Sequence, residues 1–197
     1  MPLSRIVLAS ASPRRLELLR SLGLDVEVVA SGYDEPAVGG ISPADLATLH
    51  ASEKLQAVVR RHAAPRVPVL AADTVVDVDG KALGKPAGAA EATGMLELLS
   101  GREHFVHTAF ALALPGVPPI LERGTTRVRF YRLEPAEIAE YVATGEPFDK
   151  AGAYGIQGRA ASLIEAIDGD FYTVMGLPLA RVIRALRRLG FALPKPN

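Results

Sequence analysis

A carboxylate within an apolar segment is the first feature of this sequence that could do chemistry. Asp73 interrupts residues 69–76, which have the length and composition of a buried strand. An ionised carboxylate there is costly unless a cation, a metal ion or several hydrogen-bond donors meet it. The pair Asp79-Gly80 then predicts a two-residue hairpin turn, and the return arm carries Lys85 back toward Asp73. The two charged groups either face one cleft or are a structural aspartate and a solvated lysine.

A second candidate site lies near the beginning of the chain, where a strand, a turn and a helix start are predicted. Ser10 and Ser12 lie in the turn after strand 6–9, and Pro13 suits the first helical position. A helix start of this kind attracts anions through its free N–H groups and its dipole, and Arg14 and Arg15 add guanidinium groups that bind phosphate oxygens bidentately. The spacing alone slightly favours the alternative, a capped surface helix with two exposed arginines. No P-loop sequence occurs anywhere in the chain.

Three further polar residues are candidates on less specific signals. Glu35 follows the predicted strand 26–29 and is either a solvated loop charge or a second carboxylate for a magnesium ion held with Asp73. Lys54 lies on the apolar stripe of a predicted helix over 43–61, where it either extends to solvent or points into a site. Gln157 lies in a glycine-rich loop, and its amide has the donor and the acceptor needed to recognise a nucleobase edge.

Composition excludes several classes of function. The 197 residues carry 22 basic and 22 acidic side chains, so no global field attracts the chain to nucleic acid or to an anionic membrane. The absence of cysteine excludes disulfides, thiolate catalysis and cysteine-ligated zinc. No segment approaches the ~20 apolar residues of a membrane span, and the first apolar run is too short for a signal peptide. We therefore expect a cytoplasmic protein.

The candidate residues must be positioned by the remaining predicted elements. Besides the central hairpin, strands are predicted at 6–9, 26–29, 104–114, 125–132 and 163–167, and helices at 13–23, 43–61, 88–100, 135–144 and 179–189. His104 and His107 fall in a strand with two packed faces, which favours structural roles. The arginines of the last helix are interpreted as a solvated face.

Several segments, in this order along the chain, resemble the Maf family of nucleoside triphosphate pyrophosphatases. They lie at 8–15, 72–76, 83–86, 99–108 and 149–158, and residues 169–179 are similar to the closing motif of that family. The resemblance covers nearly the whole chain. It implies a mixed α/β fold of the Maf/ITPase-like type, in which a long central twisted sheet with flanking helices forms two lobes around a deep cleft. Residues 1–197 are then a single domain.

The resemblance also implies a reaction, which is hydrolysis of a nucleoside triphosphate to the monophosphate and pyrophosphate with a divalent cation, Mg²⁺ or Mn²⁺. Asp73 matches the position of the family's proton acceptor. Glu35, Lys54 and Lys85 match positions around the metal and the phosphates, and Asp73 and Glu35 are the implied metal ligands. A homodimer is also implied.

The resemblance implies that five residues contact the substrate. Ser10 and Arg15 match the family's phosphate-binding turn. Arg14, Thr74 and Gln157 match the positions that separate its branches, and this set resembles the branch that cleaves dTTP and UTP. The branch that acts on 7-methyl-GTP carries a tryptophan there, and this chain contains none.

Two other classes of function remain open at this point. A nucleotidyltransferase also binds phosphates at a strand-turn-helix start, although the turn here lacks the usual glycine-rich run. A non-catalytic regulator would bind a nucleotide without cleaving it, and its terminal arginine helix could contact nucleic acid. Pyrophosphate release without a second substrate separates the first class from a hydrolase, and salt-dependent DNA binding would support the second.

Overall fold

One long mixed β-sheet forms the centre of the computed structural model, which describes residues 3–36, 38–61 and 67–194. In the described residues its strands are β1 (Arg5–Leu8), β2 (Asp25–Val28), β3 (Val69–Val78), β4 (Lys81–Leu83), β5 (Glu103–Leu114), β6 (Val117–Phe130) and β7 (Ile164–Asp168). The strand order is β2-β1-β3-β5-β6-β7, and β4 pairs with β3 beside this path. β1 is parallel to β2 and β3, whereas the other pairs are antiparallel. The predicted mixed α/β class is confirmed.

Helices cover both faces of this sheet. They are α1 (Pro13–Arg20), α2 (Pro43–Arg61), α3 (Ala89–Leu99), α4 (Pro135–Ala143), α5 (Phe171–Met175) and α6 (Leu179–Arg188), and single 3₁₀ turns lie at Glu146–Asp149, Ala151–Ala153 and Gly158–Ser162. α2 packs with small side chains of β3 and β5 in one apolar core, whereas α1, α3, α4 and α6 pack in a larger core on the opposite face. None of these helices, in the part of the chain described, has the length and apolarity needed to cross a membrane.

β3 is the buried strand that the sequence predicts. Asp73 is only 4% exposed, and its neighbours along the strand are mostly apolar and buried. The hairpin turn also forms as predicted, because Asp79 and Gly80 both take positive φ angles, of 53° and 76°, as a tight two-residue turn between twisted strands requires. Leu83 of the short return strand lies opposite Val76, so the following residues run back toward the Asp73 end of β3.

α2 begins with the predicted side-chain cap and turns the predicted stripe inward. The Ser42 hydroxyl accepts a hydrogen bond from the Asp45 backbone N–H at 3.1 Å and donates one to the Asp45 carboxylate at 2.7 Å. Ala51 and Val58 of the stripe are fully buried. Lys54 lies on the same face and is 7% exposed, so its ammonium points into the protein and not to solvent.

Two elements differ from the prediction. β6 extends over Val117–Phe130, although the alternation in the sequence predicts a strand only at 125–132, and its first part contains Pro118 and Pro119, which are unfavourable in a strand. The prolines are tolerated because they lie where the pairing of β5 with β6 is irregular, between Leu114 opposite Val117 and Leu112 opposite Ile120, and because β7 pairs only with Arg127–Phe130. The short α5 is missing from the prediction. Its N-cap is Asp170, whose side chain accepts hydrogen bonds from the backbone N–H groups of Tyr172 and Thr173.

Candidate active site

A cleft of about 710 Å³ opens between the β1–α1 turn, α2, β3 and the loop that follows α4. Its volume lies in the range of small-molecule binding sites, roughly 300–1,000 Å³. All of the predicted site residues line it, namely Ser10, Arg14, Arg15, Glu35, Lys54, Asp73, Thr74, Lys85 and Gln157. Residues that are up to 147 positions apart in the sequence, from Ser10 to Gln157, therefore share one cavity.

The charged centre of the cleft is a lysine held between two carboxylates. The Nζ atom of Lys54 lies 2.6 Å from Oδ1 of Asp73 and 2.5 Å from Oε1 of Glu35. β3 supplies Asp73, α2 supplies Lys54, and the segment after β2 supplies Glu35. The buried carboxylate of Asp73 thus meets a cation, which is the condition that its place in an apolar strand requires.

Glu35 keeps its charge because of the lysines around it. Burial raises the pKa of its carboxyl, but the hydrogen bond from Lys54 and the charges of Lys54 and Lys85 outweigh that effect, so the pKa lies below its ordinary value. The stabilisation that this carboxylate contributes is present above its ordinary pKa and is lost as the pH falls through the lowered one. Glu35 is therefore ionised at neutral pH.

Lys85 is held at the rim of the cleft by the return arm of the hairpin. Its side chain is exposed, and the carbonyl of the preceding Gly84 accepts a hydrogen bond from the Gly152 N–H at 3.0 Å. Gly152 must be a glycine, because its φ is +67° and a Cβ there would lie 3.0 Å from the Val76 side chain. This contact fixes Lys85 beside the loop that carries Gln157.

Arg15 is a buried connection between three parts of the cleft wall. Its guanidinium donates to the Gly176 carbonyl at 2.7 Å, to Ser10 Oγ at 3.0 Å and to Thr74 Oγ1 at 3.0 Å. Burial lowers the pKa of this guanidinium, and the charge of Asp73 opposes that effect. The alternative of two exposed arginines is wrong for Arg15, which is only 8% exposed, and Arg14 is half-buried.

We expect Arg15→Lys to lower the free energy of unfolding by about 3 kcal/mol, because one ammonium cannot reach three acceptors that lie in different directions and each lost charged hydrogen bond costs roughly 1.5–3 kcal/mol. Urea unfolding of purified protein measures the change. Arg20→Lys, at an exposed position on the same helix, should change the free energy of unfolding by less than about 0.5 kcal/mol. Equal values for both variants would contradict the role of Arg15.

The opposite wall of the cleft is the loop that carries Gln157. Gln157 itself is exposed, and the loop is anchored by Tyr154, whose hydroxyl lies 2.7 Å from Nε2 of His104. Burial lowers the pKa of His104 to about 4, so the ring is neutral at physiological pH and acts as a structural partner. Across the mouth of the cleft, Arg14 pairs with Asp149 at 3.5 Å. His104 and His107 do not line the cavity, in agreement with the structural roles predicted for them.

Sequence reasoning missed His50, which lines this cleft, and its partner Tyr33. His50 lies on α2, is 4% exposed and lines the cavity. Its Nδ1 atom lies 3.3 Å from the hydroxyl of Tyr33. The available signal was its position four residues before Lys54, since residues at this spacing share a helix face. The segment that carries Tyr33 has no regular secondary structure, so no pattern could place it.

Comparisons with known proteins agree with this geometry. The sequence model of the Maf-like protein family matches residues 5–189. The chain is 50% identical over 191 residues to the dTTP/UTP pyrophosphatase of Symbiobacterium thermophilum, which covers 97% of each chain. It is 48% identical over 193 residues to the dTTP/UTP pyrophosphatase of Methylobacillus flagellatus, which covers 98% of this chain and 96% of the relative. A HAM1 protein from Coxiella burnetii shares the fold, with a TM-score of 0.51 at 17% identity over 94% of this chain and all of that one.

Proposed function

The chain belongs to the Maf-like protein family, and from that premise we propose that it hydrolyses dTTP and UTP to the monophosphate and pyrophosphate. The activity is the one that its relatives are named for. The observation that carries the proposal is the buried pair of Asp73 and Lys54 in the wall of a nucleotide-sized cleft. A structural aspartate with a solvated lysine would not need that arrangement.

The residues of the cleft can perform the reaction in one displacement. Oδ1 of Asp73 accepts from Lys54, and no described residue donates to Oδ2, so Oδ2 can take the proton of an attacking water. The water oxygen bonds to the α-phosphorus, the bond from that phosphorus to the α,β-bridging oxygen breaks, and pyrophosphate leaves. Lys54 and Lys85 stabilise the negative charge on the phosphate oxygens as it shifts toward the leaving group.

A divalent cation fits the donors that the cleft presents. Asp73 and Glu35 lie on either side of Lys54 Nζ, at 2.6 and 2.5 Å from it, so an ion would be bound by the carboxylate oxygens that Lys54 does not occupy, and the described residues contain no cluster of three or more metal-binding side chains. Two carboxylates together with substrate phosphates are the set by which Mg²⁺ is commonly bound. We propose that Asp73 and Glu35 hold Mg²⁺ or Mn²⁺ with the nucleotide. The ion would supply charge neutralisation at the phosphates.

Removal of divalent metal with EDTA should lower the rate of dTTP hydrolysis at least about a hundredfold, since Lys54 and Lys85 alone leave about half of the roughly four negative charges of the triphosphate uncompensated. Added Mg²⁺ or Mn²⁺ should restore the rate. Pyrophosphate release in metal-depleted buffer measures the effect. A rate that EDTA leaves unchanged would contradict the cation requirement.

The proposed activity is tested by product analysis over a panel of nucleoside triphosphates. We expect pyrophosphate and the monophosphate from dTTP and UTP, without any second substrate, and slower turnover of purine nucleotides. A requirement for an acceptor would identify a nucleotidyltransferase. Binding without cleavage would identify a regulator, and a purine preference would overturn the assignment to dTTP and UTP.

Gln157→Glu should lower kcat/KM for dTTP and UTP about tenfold to a hundredfold, because the uracil or thymine edge offers two carbonyl acceptors and one N–H, and a carboxylate loses the donor that the amide provides. Activity on purine nucleotides should change less. Gln56→Glu makes the same change on α2 outside the cleft and should leave the nucleotide preference as in the wild type. An unchanged preference in Gln157→Glu would remove this residue from base recognition.

We also propose that the enzyme is a cytoplasmic homodimer. The compartment is the one expected of an enzyme that acts on free nucleoside triphosphates. The dimer is supported by the resemblance of the sequence motifs to the Maf family. Light scattering of the purified protein tests the dimer, and a monomeric mass at micromolar concentration would contradict it.

A further inference from the structure

His50 is a titratable side chain of the cleft wall that the proposed reaction leaves without a role. It precedes Lys54 by four residues, so both side chains project from one face of α2, about 6 Å apart along the helix axis. Its charge, when protonated, is one of the influences that lower the pKa of Glu35. His50 therefore lies at the Lys54 and Glu35 end of the cavity, whereas Gln157 lies in the loop of the opposite wall.

One nitrogen of this buried ring is reachable from the cavity. Nδ1 is occupied by the Tyr33 hydroxyl at 3.3 Å, and no described residue bonds to Nε2. In the described chain, the side-chain polar atoms that are shielded from solvent and have no hydrogen-bond partner are His104 Nδ1 and Tyr141 Oη. Nε2 of His50 has no partner among the described residues and is not one of them, so it is accessible to solvent. Since the ring as a whole is 4% exposed and lines the cleft, Nε2 meets the solvent of the cleft.

Tyr33 determines what Nε2 can offer. When the phenol hydroxyl donates to Nδ1, the neutral ring carries its proton on Nε2. The imidazolium carries a proton there as well, so Nε2 is a donor in both states. The two rings also pack at a centroid distance of 5.7 Å, which limits rotation of the imidazole. With Tyr33 as the donor, the pair presents an N–H group to an anion beside Lys54.

We propose that His50, oriented by Tyr33, donates a hydrogen bond from Nε2 to the pyrophosphate half of the bound nucleoside triphosphate. This inference rests on the proposed hydrolysis for its substrate. It adds to that function a contact that neither the motifs nor the resemblance assigns. The contact acts on the leaving group and not on the nucleoside, because His50 shares its end of the cleft with Lys54 and Glu35.

The test compares the binding of the two products by isothermal titration calorimetry with Mg²⁺ present. His50→Leu should weaken the binding of inorganic pyrophosphate about tenfold, the loss that one charge-assisted hydrogen bond predicts, and should leave the binding of dTMP within about twofold of the wild type. His50→Gln, whose amide N–H can replace the imidazole donor, should recover most of the pyrophosphate affinity. KM for dTTP should follow the pyrophosphate affinity in both variants.

The other outcomes have distinct meanings. Unchanged pyrophosphate binding in His50→Leu, equal losses for both products, or no recovery in His50→Gln would each overturn the contact. A purely structural role would lower the thermal midpoint without separating the two products, and it would overturn the contact too. Calorimetry needs no turnover, so a wild-type protein that fails to hydrolyse dTTP would refute the proposed function while the binding data still decide the role of His50.

Discussion

Asp73→Asn is expected to lower the rate of dTTP hydrolysis by about a thousandfold or more, since the amide cannot accept the proton of the attacking water and general-base catalysis alone contributes about 10²–10⁴-fold. The carboxylate is buried beside Lys54, 2.6 Å from its ammonium, and no described residue donates to its Oδ2. The amide is almost isosteric, and Glu35 remains to pair with Lys54. The variant should therefore fold. Pyrophosphate release per molecule of purified, folded protein measures the effect.

The matched control for this change is Asp77→Asn. Asp77 lies on the same strand, four residues further along, but it contacts His107 and does not line the cavity. Its variant should retain the wild-type rate within about threefold, as is usual for a site outside the cavity. A rate near the wild-type value in Asp73→Asn, with the protein folded by circular dichroism, would remove Asp73 from the reaction and leave it a structural aspartate.

Lys54→Met is expected to reduce both activity and stability. The rate should fall about 10²–10³-fold, the usual loss when one preorganised donor to a developing negative charge is removed. The free energy of unfolding should fall by about 3 kcal/mol, because two carboxylates that shared one ammonium then face each other at the edge of the core. Steady-state kinetics and urea unfolding of the same preparation separate the two effects.

Lys81→Met is the matched control for the lysine variant. Lys81 is exposed on β4 and lies outside the cavity, so its variant should keep the wild-type rate and an unfolding free energy within about 0.5 kcal/mol. An active and stable Lys54→Met protein would mean that Asp73 has another way to carry its charge. The arrangement of Lys54 between two carboxylates would then have no part in the chemistry.

Local chemistry predicts much of the fold. The Asp79-Gly80 turn, the Ser42 cap and the apolar stripe of α2 all follow from interactions within a few residues, and all three form as predicted. The prediction is wrong where a local rule is overridden at longer range. Pro118 and Pro119 argue against a strand, yet β6 contains them because they lie where its pairing with β5 is irregular and where β7 does not pair with it.

The candidate site also combines features that the local sequence predicts with features that depend on long-range contacts. The sequence alone determined which residue types were present, that Asp73 lies in a buried strand and that Lys54 lies on the inner stripe of α2. Only the tertiary structure decided that the lysine points inward, because the carboxylates that hold it are 19 residues away on either side, at Glu35 and Asp73. Periodicity gives the direction of a side chain from its helix, but not the charge that it meets there.

The connections of Arg15 and the pairing of Tyr33 with His50 belong wholly to the tertiary structure. Arg15 bonds to a carbonyl 161 residues further along the chain, and Tyr33 lies in a segment without regular structure. Hydrogen bonds of this kind depend on where the sheet brings distant segments together, and no local pattern encodes that. The sequence thus determined the chemical groups and the elements that carry them, whereas the folded sheet decided which groups face the nucleotide.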